Sequence, residues 1–255
     1  MPSTSTPSPS SPRATTRDCE ARWRSRNRWS AAWRTWRRGT SMIGNDLVDL
    51  EDSETRPEER HERFDERVFC TVERESIGAS GAPDRLRWIL WAAKEAAYKV
   101  ARKADERAVF SPPRFQVHVD ATLRGRVHFA GRDYALLIDE APGRVHAVAS
   151  EKPWESHECL SRVITWDAEA QLAGKAVRAL ARREIAAALD LPAEELEIER
   201  EGRIPVLSLG GRPLDVDLSL THHGRFLAFA CDLRDGAAAW RRRRSRRSSS
   251  GEAHL

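Results

Sequence analysis

One stretch limits the architecture more than any other. Residues 84–103 (DRLRWILWAAKEAAYKVARK) place Leu86, Leu90, Ala93, Ala97 and Val100 on one stripe at helical spacing, with Asp84 positioned as a cap. Four short strand segments follow, 115–119, 126–129, 134–138 and 145–149, divided by Gly and Pro turns. A long one-faced helix followed by short strands and tight turns predicts a helix packed on a small antiparallel sheet.

The pattern then recurs. Residues 163–166 read as strand and 168–189 as a long helix. Strands follow at 196–199, 204–209, 216–220 and 226–231, with a Gly210-Gly211 turn. Upstream, 43–50 reads as strand and 58–69 as helix. Each half is strand, long helix, several strands. The expected fold class is therefore α+β, a pseudo-duplication with halves at 42–156 and 157–236.

The ends differ from this body. Of 43 Lys+Arg and 39 Asp+Glu, residues 1–41 hold a net +7 and 237–255 a net +5, leaving −8 for 42–236. Residues 1–17 are mostly Ser, Thr and Pro, which bury too little to order themselves. Residues 22–38 interleave Arg with Trp23, Trp29, Trp33 and Trp36, the last three on one helical face. A transit peptide, or a helix for anionic lipid or nucleic acid, would fit this leader. The plain reading is an upstream extension, with Met42 as the natural start. Arg241–Arg247 reads as a solvated, disordered tail. No run approaches the roughly 18 apolar residues of a membrane span. Cys19, Cys70, Cys159 and Cys231 are scattered without a CxxC pair, which predicts free thiols, a reducing compartment and a cytoplasmic protein.

Three segments carry chemistry. The chain has 38 Arg but five Lys, and Lys94, Lys99 and Lys103 share one helix. Lys supplies a compact charge with a shiftable pKa, which Arg does not. Glu95 and Lys99, four apart, point to one side, as an ordinary surface ion pair would also do. Asp46 sits within an apolar strand after Gly44, where a carboxylate needs a partner or a cation; an edge Asp facing water or paired with Arg63 or Arg67 is the plain alternative. Asp49 has opposite parity and reads as structural. In 217–230 (DLSLTHHGRFLAFA) two strands flank a Thr-His-His-Gly-Arg turn that suits a phosphate, or is a plain polar hairpin. Adjacent His222 and His223 diverge on a strand, which argues against zinc.

Together these segments resemble the 4′-phosphopantetheinyl transferase superfamily. Its G-x-D strand reads Gly44-Asn45-Asp46 here. Its W-x-x-K-E-A-x-x-K helix reads Trp91 to Lys99, and its S-x-S-H strand reads Ser219-Leu220-Thr221-His222. Residues 63–69 (RFDERVF) look like a segment of the holo-acyl-carrier-protein synthase branch. The chain departs in places: Val48 replaces a second strand acid, Thr221 replaces a serine, and the G-K-P-x-L segment reads Gly202-Arg203-Ile204-Pro205-Val206-Leu207. The second-half helix has Lys175 but no K-E-A-x-x-K.

The resemblance implies transfer of the phosphopantetheine arm of coenzyme A to a serine of an apo carrier protein, releasing adenosine 3′,5′-bisphosphate. It implies one site, in the cleft between the halves of a monomeric pseudodimer. Asp46 and Glu95 would bind Mg²⁺; Glu95 and Lys99 would be catalytic. Lys94, Thr221, His222, Arg203 and Arg225 would hold the coenzyme A phosphates. Arg63, Arg67 and Arg74 would meet the acidic carrier. The rival readings are a non-catalytic coenzyme A or carrier-binding module, and nucleic-acid binding through the tails, which an acidic body does not support. Dinucleotide, Walker, serine-hydrolase and zinc-protease motifs are absent from the sequence.

Overall fold

The computed structural model describes residues 41–233 except 157, 168 and 169. The extension and tail expected at 1–41 and 237–255 thus fall, save Ser41, outside the described residues.

The first half is a five-stranded antiparallel sheet in the order β1-β5-β4-β3-β2. Its strands are β1 (Ile43–Asp49), β2 (Gln116–Val119), β3 (Arg124–Phe129), β4 (Arg132–Ala141) and β5 (Arg144–Ser150). Two short helices, α1 (Phe64–Val68) and α2 (Thr71–Ala79), precede the long α3 (Pro83–Ala104). The second half has β6 (Cys159–Thr165), α4 (Ala173–Leu189) and β7 (Leu196–Glu201). There follow β8 (Ile204–Leu209), β9 (Arg212–Pro213), β10 (Asp217–His223) and β11 (Phe226–Asp232). They form two three-stranded sheets, β10-β11-β6 and β7-β8-β9. In both halves the strand before the long helix lies beside the last strand, and the last beside the one before it.

Helix α3 buries a strip of small residues. Ala92, Ala93, Ala96, Ala97 and Val100 are all inaccessible to solvent. They let the β1 backbone approach so closely that a Cβ at Gly44 would lie 2.2 Å from Ala96 O. A side chain there would force the layers apart. Helix α4 buries Leu180, Ile185 and Leu189 against Leu196, Leu207, Leu218 and Phe229 in a second core.

Three local expectations change. The helix expected over 58–69 breaks into a 3₁₀ turn, Pro57–Glu59, and α1. Residues 58–63 contain no apolar side chain to bury, so only the end carrying Phe64, Val68 and Phe69 is held, with Phe64 against Trp88 and Trp91. Asp84 does not cap α3; Pro83 opens the helix, and Asp84 instead pairs with Arg60 and Arg87. Helix α2 was not foreseen. Its apolar content is slight and Val72 faces outward; its start is fixed by Glu73, which accepts from Cys70 N at 2.9 Å.

The halves meet along the outer edge of β1. Its backbone donors are taken by side chains from one face of β10. Ile43 N donates to Asp217 Oδ2 at 2.7 Å, Asn45 N to Ser219 Oγ at 2.9 Å, and Asp49 N to His223 Nδ1 at 3.0 Å. Lys103, at the end of α3, completes the seam by donating to Ile43 O, Asp217 Oδ2 and Leu218 O. An edge strand that would otherwise expose unpaired amides is closed this way.

Candidate functional site

The close approach at Gly44 sets up the site. Asp46 lies two residues further along the helix-facing side of β1 and meets the middle of α3. Lys99 Nζ donates to Asp46 Oδ1 at 2.9 Å and to Asn45 O at 2.8 Å. From the other half, Thr221 Oγ1 donates to the same Asp46 oxygen at 3.3 Å. One turn back on α3, Glu95 is half-buried beside this pair. Burial and then the charge of Asp46 push its carboxyl up to about 7, against the opposing pull of Lys99. Among the described residues, no donor reaches Glu95.

Two neighbouring carboxylates, one held at an energetic cost, form an oxygen donor set that suits a hard divalent cation. A bound cation would relieve the burial and repulsion that raise the Glu95 pKa. Asp46 and Glu95 therefore fit a magnesium-type ion.

Next to this acidic pole lies a cationic one. His222 points to the α4 side of β10 and borders a pocket of about 230 Å³ with Arg178, Arg200 and Thr221. Burial, and then Lys99, His223 and Arg200, lower the His222 pKa. Arg178 also titrates below its ordinary value, through burial and the facing charge of Arg200. No acid pairs with either guanidinium among the described residues. Two cations held close, with no counter-charge among the described residues, suit an anion.

The structure brings together Asp46, Glu95, Lys99, Thr221 and His222. Three other expected contacts lie elsewhere. Lys94 is wholly buried and donates to Glu73 Oε2 at 2.7 Å, Glu73 Oε1 at 2.8 Å, Pro112 O at 3.1 Å and Phe115 O. Burial lowers its pKa against the pull of Glu73. It braces α3 against α2 and the start of β2, and is sealed from any ligand. Arg225 is taken by Asp49, through a two-pronged contact at 2.8 and 2.9 Å, and by Glu51 at 2.6 Å. Burial would raise the Asp49 pKa, but the hydrogen bonds and charge of Arg225 hold it down at about 2. Arg203 is exposed in the β7–β8 turn; the pocket is lined by Arg200 and Arg178 instead. Those two were missed because nothing local sets them apart among 38 Arg.

A second group, Asp52, Glu54 and His223, brings its ligand-type atoms within 4.8 Å of one another. His223 Nδ1 already accepts from Asp49 N, so the neutral ring carries its proton on Nε2 and has no lone pair for an ion there.

Residues 42–150 match the family model of the 4′-phosphopantetheinyl transferase superfamily. Among solved structures, the chain is similar to an apo-ACPS structure from Chronobacterium ammoiniagenes, at 21% identity and a TM-score of 0.35, covering 44% of this chain and 95% of that one. It is also similar to the holo-[acyl-carrier-protein] synthase of Thermotoga maritima, at 12% identity and a TM-score of 0.31, covering 68% of this chain and 84% of that one. No curated protein matches.

Proposed function

We propose, from the match of residues 42–150 to the model of the 4′-phosphopantetheinyl transferase superfamily and from the geometry of the site, that the protein moves the phosphopantetheine arm of coenzyme A to a serine of an apo carrier protein. The serine oxygen bonds to the pantetheine-bearing phosphorus, the diphosphate P–O bond breaks, and adenosine 3′,5′-bisphosphate leaves. The observation that carries this reading is Glu95: a half-buried carboxylate that meets no donor among the described residues, beside Asp46 and next to a paired-arginine pocket.

Asp46 and Glu95 would hold Mg²⁺, with Thr221 and Lys99 fixing the Asp46 carboxylate. The ion, when bound, neutralises charge developing on the diphosphate. Lys99 offers a further cation at the same place. Arg178, Arg200 and His222 hold the nucleotide phosphates. Glu95, or a water that it orients, would accept the serine proton. The matched strand order of the two halves supports a pseudo-duplicated chain with the site in its cleft.

The test is carrier mass. The full chain, coenzyme A and Mg²⁺ are incubated with apo carriers from fatty-acid, polyketide and peptide-synthetase systems. A phosphopantetheine mass gain, abolished by a chelator and by Glu95→Gln, is expected. Coenzyme A binding without mass gain on any carrier would mark a binding module instead.

A further inference from the structure

Asn45 is held from three sides. Its backbone N donates to Ser219 Oγ at 2.9 Å, its backbone O accepts from Lys99 Nζ at 2.8 Å, and its side-chain Nδ2 donates to His146 Nε2 at 3.0 Å. His146 lies on β5 as a diagonal neighbour on the same face: Asn45 stands opposite Val148, and Leu47 opposite His146. Both residues are shut off from solvent, beside an apolar cluster of Ile43, Val148 and Ala230. Aliphatic side chains would bury there at no polar cost, whereas Asn45 Oδ1 meets no partner among the described residues. Burial, against the pull of Asp139 and together with Arg144 and Lys99, pushes His146 down to about 4, so its ring is neutral near pH 7. Nδ2 can only donate, so Nε2 accepts and the ring proton sits on Nδ1.

We infer that Asn45 and His146 are a positioning pair for Lys99, fixing through the Asn45 carbonyl where that ammonium stands beside Asp46. This rests on the transferase reading above, in which Lys99 meets the diphosphate. An ammonium has three N–H donors. Asp46 Oδ1 takes one at 2.9 Å and Asn45 O takes another, which leaves one for a phosphate oxygen. The Asp46 carboxylate would be shared with a bound cation, so the Asn45 carbonyl is the steadier of the two acceptors. That carbonyl points to the open edge of β1, where no strand of its own sheet pairs with it. Ser219 fixes the N–H on the same edge, and His146 fixes the side chain on the face. Three points set the orientation of a residue where two leave a rotation. A charged group displaced by about 1 Å can lose about a hundredfold in rate, so a polar pair that adds little to stability can still matter for turnover.

The test compares the full chain with His146→Leu, with His146→Gln, which keeps an acceptor, and with the double variant Asn45→Leu/His146→Leu. Steady-state transfer to an apo carrier and thermal melts are measured beside spectra of lysine labelled with carbon-13 at Cε. With five Lys in the chain, the Lys99 signal is assigned by its loss in Lys99→Arg. His146→Leu should lower kcat about tenfold with the KM for coenzyme A and for carrier unchanged, and should shift the Lys99 signal. His146→Gln should restore most of the rate. The double variant removes both polar partners, so it should regain stability but not kcat. A kcat that returns with stability in the double variant marks a packing role and overturns the inference. So does a wild-type kcat, or an unmoved Lys99 signal, in His146→Leu. If the wild type modifies no carrier, the transferase reading falls by itself and the Lys99 signal decides: a shift in His146→Leu that His146→Gln reverses supports the pair, and an unmoved signal overturns it.

Discussion

Glu95 holds the molecule's clearest conflict between stability and use. A carboxyl whose folded pKa is raised costs stability once it ionises, and the cost is absent below its unfolded value. The rise from 4.5 to about 7 therefore predicts that Glu95→Gln stabilises the metal-free protein above pH 7 by roughly 2–3 kcal/mol, fading toward pH 4.5. Denaturant melts of both proteins in chelator, at pH 5 and pH 8, measure this; equal stabilities at pH 8 would refute the account. The same helix shows what was legible at this scale. The motif Lys94-Glu95-Ala96-Ala97-Tyr98-Lys99 marked the turn of α3 that stands beside Asp46, because Glu95 and Lys99 share a face by period alone. It could not separate Lys94 from Lys99. Which lysine is sealed depends on Glu73 and on the carbonyls of Pro112 and Phe115, about twenty residues away in each direction. The scarcity of lysine has a correspondingly different cause. Lys94 and Lys103 supply compact ammonium groups to crowded backbone carbonyls, where a planar guanidinium would not fit, and Lys99 remains for the site.

At the scale of elements, β1 against α3 is the decisive contact. Gly44→Ala places a methyl against Ala96 O, so either β1 or α3 must shift. A loss of about 3 kcal/mol or more is expected, since neither backbone can yield without unpacking the alanine strip. Thermal melts measure the stability; at temperatures where the variant stays folded, transfer should still fall, because Asp46 moves away from Glu95. Long helices and alternating strands were readable because periodicity reports burial directly. Helix α2 was not, because it is positioned by the Glu73 side chain more than by an apolar face. The split of the second half into two separate sheets was equally unreadable, since strand periodicity says which face is buried but not which neighbour pairs.

For the whole molecule, the order of strand, long helix and strands in each half could be read from the chain, while the seam between them could not. The seam pairs positions 174 residues apart, and no local pattern encodes that offset. Asp49 and Arg225 close one end of it. An Asp held near pH 2 contributes stability that is complete above its ordinary pKa of 3.8 and is lost as pH falls toward 2. Asp49→Asn should therefore lower stability at pH 7 by about 2 kcal/mol, with the gap to wild type closing between pH 4 and pH 2. Acid titrations of both proteins, followed by circular dichroism, test this; a gap that persists unchanged to pH 2 would count against the pair.

Strand β10 also has a grammar of its own. Odd-numbered residues, Asp217, Ser219, Thr221 and His223, are spoken to β1; the even-numbered Leu218, Leu220 and His222 are spoken to α4 and its pocket. Deleting one residue ahead of the strand could leave every β10–β11 ladder bond in place and yet transpose the two messages. Leucines would then confront the bare amides of β1, and His222 would turn from the arginines toward Asp46. A frame of reading two residues long thus keeps the join between the halves and the place where chemistry is expected in step with one another.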